Sequence, residues 1–239
     1  MARNFTFVFS FLLIINIYDA YSGENSHYDF SWLDPDKEIF VLQNRTYQKD
    51  GHAYINVGGG FTASGAFVDS INMQGRFGFF FTEEMGVELL FSKNSGKENE
   101  TAQSVRRGPD GSGTIPFRRI VDQYYGAYFL WSPFYAKVNT FNKIIYLDWI
   151  LGVGYAYMTE TNNKDELDGS GVGDFNVLSE SHHSLTWDVG LKFYLSSSFD
   201  IRLDLTALHY QSPSAINIES GDKSWFSHYD VSLSLGYKF

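Results

Sequence analysis

From about residue 53 onward the chain keeps returning to one pattern, apolar and polar residues in strict alternation. Its last stretch puts Tyr229, Val231, Leu233, Leu235, Tyr237 and Phe239 in one row. His228, Asp230, Ser232, Ser234, Gly236 and Lys238 form the other. A period of two is the mark of a β-strand with two unlike faces. The same reading predicts eight strands, at 53–63, 71–81, 86–92, 121–132, 144–157, 183–194, 200–209 and 227–239. The greasy residues fall almost always on odd numbers, as in Ile71, Met73, Phe77 and Phe79, or Leu185, Trp187, Val189 and Leu191. No charged residue occupies the apolar face in this register, and its mild exceptions, Gln123, His183 and His209, lie near strand ends.

The connections alternate in length. Residues 82–85 and 195–199 form tight turns, and 132–143 is somewhat longer. Residues 93–119, 159–182 and 211–225 are long, polar and glycine-rich, although the first link on their side, 64–70, is short. Short turns at one rim and long loops at the other are what an up-and-down barrel in a membrane shows.

Alternation alone does not say which face is wet. A soluble sandwich would bury the same apolar row. Three features reverse that reading. The polar row carries Gly58, Gly60, Gly78, Gly126, Gly152, Gly154, Gly190 and Gly236. Strand glycine facing water packs nothing, whereas in a narrow barrel it makes room for a large neighbour. The polar row also holds Arg76, Glu88, Asp122, Asp148, Asp188, Lys192, Arg202, Asp204 and Asp230, charges of both signs that can meet across a lumen. Finally, aromatic residues gather where the apolar row reaches the rims. Phe79, Phe81, Phe129, Trp131, Phe193, Tyr237 and Phe239 fall toward the short turns, and Phe61, Phe91, Tyr125, Tyr155, Tyr157 and Tyr229 toward the loops. Two aromatic belts are what a bilayer's two interfaces select. The expected fold is all-β: an eight-stranded antiparallel up-and-down transmembrane barrel, closed because hydrocarbon leaves no backbone group unpaired.

Composition sharpens this picture. Aromatics make up 18% of the 239 residues, more than a soluble core needs. There is no cysteine, so burial and backbone pairing alone hold the chain together. A net charge of −10 without a basic block argues against a nucleic-acid partner, and the pairs at 106–107 and 118–119 read as solvated loop charges. Arg3, the apolar run 5–17 and the small residues at 20–22 predict a secretory signal peptide over 1–22. The expected organisation is then a periplasmic N-terminal leader at 23–52, draped over or partly plugging the rim, and the barrel at 53–239.

Three stretches, "DPDKEIFVLQNRTYQKDG" (34–51), "GAFVDSINMQGRFGFFFTEEMGVELLFSKNSGKEN" (65–99) and "FRRIVDQYYGAYFLWSPFYAKVNTFNKIIYLDWILGVGYAY" (117–157), resemble outer-membrane β-barrel domain proteins of predatory and gliding Gram-negative bacteria. The architecture is similar to small OmpA, OmpX and OmpW barrels. The resemblance implies fold and outer-membrane location after export, and no activity. Val231, Leu233, Leu235, Tyr237 and Phe239 resemble the C-terminal signal read by outer-membrane assembly machinery.

Candidate chemistry is sparse. "HHS" sets His182 and Ser184 at the His-x-Ser spacing of a lipid A deacylase, but the register points Ser184 into the lumen, away from its lipid substrate. Asp165, Asp168 and Asp174 offer oxygen ligands in a glycine-rich loop, without the EF-hand spacing. No catalytic residue, metal site or cofactor is expected. The sequence predicts a monomeric, non-enzymatic envelope scaffold with a side-chain-filled lumen and exposed loops. Its partners are outer-membrane lipid, lipopolysaccharide and the assembly machinery. The alternatives are a narrow OmpW-like channel for small or hydrophobic solutes, and a lipid A-modifying barrel enzyme.

Overall fold

The computed structural model describes residues 45–108, 113, 116–140, 143–163, 178–213 and 223–239. The signal segment, most of the leader and the Asp165–Asp174 loop lie outside them. The barrel unit comprises Tyr47–Phe239. Its strands are β1 (His52–Thr62), β2 (Val68–Phe80), β3 (Met85–Glu98), β4 (Arg119–Trp131), β5 (Tyr135–Thr140), β6 (Lys143–Asn162), β7 (Leu178–Tyr194), β8 (Phe199–Pro213) and β9 (Lys223–Lys238). A short helix, α1 (Glu100–Arg107), sits between β3 and β4.

Each wall strand pairs antiparallel with the next, β1 pairs with β9, and β4 pairs with β6. The wall is therefore a closed ring of eight strands in the order β1, β2, β3, β4, β6, β7, β8, β9. The ninth element, β5, continues the line of β4 along the lower part of β6, where Tyr135 stands opposite Asp148 and Thr140 opposite Lys143. What reads in the sequence as an over-long turn is a β-hairpin prolonging the sheet past the short-turn rim. Ser132, Pro133 and Phe134 make the break, and the Trp149 amide donates to the Phe134 carbonyl to carry the ladder across it (3.1 Å). Proline has no amide proton to give a sheet, which is why the break falls there.

Burial follows the parity of the residue number. In β2 every even residue from Val68 to Phe80 is enclosed, and the odd ones face out, apart from the half-buried Gly75. The outer face is greasy: Ile71 is 67% exposed, Val153 62% and Leu89 61%, whereas Arg76 is 1% and Arg202 0%. A soluble protein would invert those values. The aromatic belts are in place as well. Phe81 meets Phe129, and Tyr237 packs against both Phe199 and Phe239 near the short turns. Phe91 meets Tyr125, and His183 lies between Tyr155 and Tyr157 on the loop side.

The strands run further toward the loops than alternation suggested. β3 reaches Glu98, β6 Asn162 and β8 Pro213, and β7 and β9 begin at Leu178 and Lys223. Beyond the bilayer a strand keeps its ladder but needs no apolar row, so its sequence signal fades. On this upper part the outer face becomes charged, with Asp69 directly opposite Lys97. Helix α1 is capped by Asn99, whose side chain accepts from the Ala102 amide (2.9 Å). Glu100 in its first turn and Arg106 and Arg107 in its last suit the helix dipole. Arg106 and Arg118, one from each arginine pair, are not free loop charges: they converge on Glu98 at 2.6 and 2.8 Å.

Glycine on the inner face does admit large neighbours. A Cβ on Gly78 would overlap the Tyr54 ring, and one on Gly190 would stand 2.6 Å from Asp204 Oδ1. At the β1–β9 seam, a Cβ on Gly60 would overlap the Val231 carbonyl oxygen, so only glycine lets the closing strands approach there.

Candidate functional site

The interior is the region where the chain concentrates its chemistry. Its centre is a five-residue ion cluster. Arg76 on β2 binds Glu88 (2.7 Å) and Asp188 (3.0 Å). Arg202 on β8 binds Glu88 (2.5 Å), Asp188 (2.9 Å) and Asp204 (2.6 Å). Thr206 donates to Asp188 (2.7 Å) and accepts from Arg76 (2.8 Å), and the Tyr54 hydroxyl donates to Glu88. In a ring of eight, β2 stands opposite β7 and β3 opposite β8. The Arg76–Asp188 and Arg202–Glu88 bonds therefore run straight across the barrel, through its axis.

Other sequence-predicted charges take separate places. Toward the short turns, Lys192 pairs with Asp200 (2.9 Å) and lies over the Tyr54 ring. Asp148 accepts from Tyr194 (2.5 Å) and pairs with Lys49 at 2.7 Å. Toward the loops, Asp230 accepts from Thr62 (2.7 Å), Tyr124 (2.9 Å) and Asn94 (3.3 Å), with His228 Nε2 3.1 Å away. Tyr124 and Asp230 again belong to opposite strands, β4 and β9. Asp122 departs from the set. The β4–β6 register slips between Val121 and Gln123, leaving Asp122 as the extra residue of a bulge. The bulge turns Val121 inward and hands Asp122 to Thr161, so Asp122 takes no part in the central cluster.

Two interior features escaped the sequence reading. One is apolar: Leu90, Leu130, Ile150, Met158 and Leu208 are fully enclosed among Tyr124, Tyr128 and Tyr210. These even-numbered residues sit in stretches greasy on both faces, where alternation carries no signal. The other is Lys49, assigned to the leader. It is 2% exposed, donates to Ser132 (2.6 Å) as well as pairing with Asp148, and lies 5.0 Å from the Phe80 ring centre. The Glu83 carboxylate accepts from the Lys49 amide (3.1 Å), and Lys238 donates to the Gln48 carbonyl (2.6 Å). Tyr47 stacks on Tyr194 at 4.8 Å. Residues 47–51 thus close the base of the lumen.

The His-x-Ser pair is not assembled as a nucleophile. Ser184 donates to the backbone carbonyls of Leu185 (3.1 Å) and His209 (3.2 Å), while His182 turns to Glu160 (3.2 Å).

A closed eight-stranded sheet, greasy outside and charged within, belted by aromatic rings, defines a small transmembrane β-barrel. Residues 39–239 match the family model described as outer membrane protein beta-barrel domain, and the chain belongs to that family, which places it in the outer membrane. No curated protein matches it. Among solved structures it is similar to the N-terminal β-barrel domain of OprF from Pseudomonas aeruginosa: 14% identity, 80% of this chain and 100% of that one, TM-score 0.45. It is also similar to OprG from Pseudomonas aeruginosa: 15% identity, 82% and 99% coverage, TM-score 0.40. A third likeness is to Ail of Yersinia pestis: 17% identity, 80% and 99% coverage, TM-score 0.37. Likenesses this distant carry no activity or partner across.

Proposed function

We propose that this outer-membrane barrel is a non-enzymatic scaffold of the cell envelope, shut through its length and presenting its long loops at the cell surface. The observation that carries the reading is the pair of ion bridges across the diameter, Arg76–Asp188 and Arg202–Glu88. An eight-stranded barrel has an interior just wide enough for side chains to fill. Lys49 adds a second obstruction at the base.

On this reading the short-turn rim faces the periplasm, the leader of 23–52 lies on that side, and residues 1–22 direct export and are removed. Lipopolysaccharide surrounds the outer half of the wall, and the row Val231, Leu233, Leu235, Tyr237 and Phe239 is read by the assembly machinery. The protein acts as a monomer, because the β1–β9 and β4–β6 pairings engage both edges of every wall strand. The narrower kinship, to barrels of predatory and gliding bacteria, rests on the stretches 34–51, 65–99 and 117–157.

Planar-bilayer recording tests the proposal. The purified protein is expected to give no stable single-channel openings. Steady openings would replace the scaffold by a narrow conduit for small or hydrophobic solutes. A change in lipid A mass on overexpression, abolished by Ser184→Ala, would replace it by a lipid-modifying enzyme.

A further inference from the structure

Near the loop-side end of the lumen, apart from the central cluster, Glu160 of β6 stands directly opposite Glu180 of β7. Both project from the same face, and His182 follows on that face two residues along β7. Like charges directly opposite one another across a ladder destabilise it unless something bridges them. His182 Nε2 lies 3.2 Å from Glu160 Oε1 and 3.7 Å from Glu180 Oε2. One ligand atom from each of the three residues falls within 4.8 Å of the other two. Four ligands around one zinc ion stand about 3.3 Å apart when the metal bonds are about 2.0 Å long. The two histidine–carboxylate distances are therefore close to coordination spacing.

A second observation bears on the same site. Glu160 is fully buried, yet its Oε2 accepts no hydrogen bond among the described residues. Its other oxygen is crowded: Arg119 Nε stands 3.0 Å from Oε1, and Ser212 donates to it at 3.1 Å. Arg119 is held by the Phe226 ring, 3.9 Å from its guanidinium carbon, and offsets one of the two carboxylates. The His182 ring is itself oriented by stacking on Tyr210 at 5.5 Å. A buried carboxylate oxygen left bare costs free energy that a bound cation would recover.

We propose that Glu160, Glu180 and His182 form a binding site for a first-row transition-metal dication, with Zn²⁺ as the prime candidate. The imidazole nitrogen favours such an ion over Ca²⁺ or Mg²⁺, which take oxygen ligands. Three protein ligands leave a fourth position for water or a small anion entering from the loop side. The site fastens β6 to β7 where the wall leaves the bilayer.

The test uses tag-free protein folded in detergent, titrated with ZnCl₂ by calorimetry and with CoCl₂ by visible absorption. One ion per chain is expected, with the intense visible bands of a low-coordinate cobalt site. Glu180→Gln and His182→Ala, both at partly exposed positions, are expected to lose that binding while keeping heat-modifiable gel mobility, the sign of a folded barrel. His183→Ala, on the outer face, is expected to leave it intact. If one of the first two variants fails to fold, the other decides. The proposal is overturned if the wild type takes up neither ion, if the folded variants bind as it does, or if Ca²⁺ saturates the protein where Zn²⁺ does not.

Discussion

Arg202→Met is expected to lower the unfolding free energy of the barrel by about 3–5 kcal/mol, the cost of stripping one partner from a buried ion group. Arg202 touches Glu88, Asp188 and Asp204 at once. Without it, three enclosed carboxylates face Arg76 alone, and Arg76 stands 3.8 Å from Asp204. Methionine fills a similar volume, so the loss reports charge rather than a cavity. Arg202→Lys should recover only part of it, since a single ammonium cannot serve three carboxylates as the forked guanidinium does. Urea unfolding in lipid vesicles, followed by tryptophan emission and gel mobility, measures the difference. A loss below about 1 kcal/mol would indicate a solvent-screened pair and a wet lumen.

The adjacent residue carries the second large expectation, with the opposite preference. Leu203 points outward between Leu191 of β7 and Leu233 of β9, in the middle of the apolar row that runs from Phe199 to Ala207. Leu203→Arg is expected to cost about 2–4 kcal/mol, the penalty for a cation at the bilayer midplane. The same change at Phe239, beside the short-turn rim, should cost only about 0–1 kcal/mol, because the long side chain reaches the interface there. One chain position thus demands arginine and its neighbour rejects it. In a water-soluble barrel Leu203→Arg would be neutral, so the same unfolding assay separates the two pictures.

How much of this was legible in the sequence follows from where the alternation is clean. In β2, β7 and β8 the polar row holds Arg76, Asp188, Lys192, Arg202 and Asp204, and those strands, their facing and the shared interior of their charges could be read directly. The pairing could not, because it depends on which strands stand opposite in the closed ring, and that follows from strand number and stagger together. Leu130, Ile150 and Met158 were invisible as interior residues, since β4 and β6 are greasy on both faces. Asp122 was misplaced because a bulge inserts one residue and resets the parity. Lys49 was hidden in a segment without periodicity; its inward course is fixed by Glu83 and Asp148, both distant in the chain. Glu160 and Glu180 lay past the predicted strand ends, where the ladder outlasts the apolar row that announces it.

The central claim is that acyl chains surround the wall while ion pairs fill its axis, and site-directed spin labelling addresses it most directly. The chain lacks cysteine, so single cysteines at Leu203, Leu233 and Val153 can be labelled without background. In lipid vesicles these nitroxides should collide readily with oxygen, which dissolves in the acyl region, and hardly at all with a water-soluble nickel chelate. Ready collision with the chelate at all three positions would contradict the account.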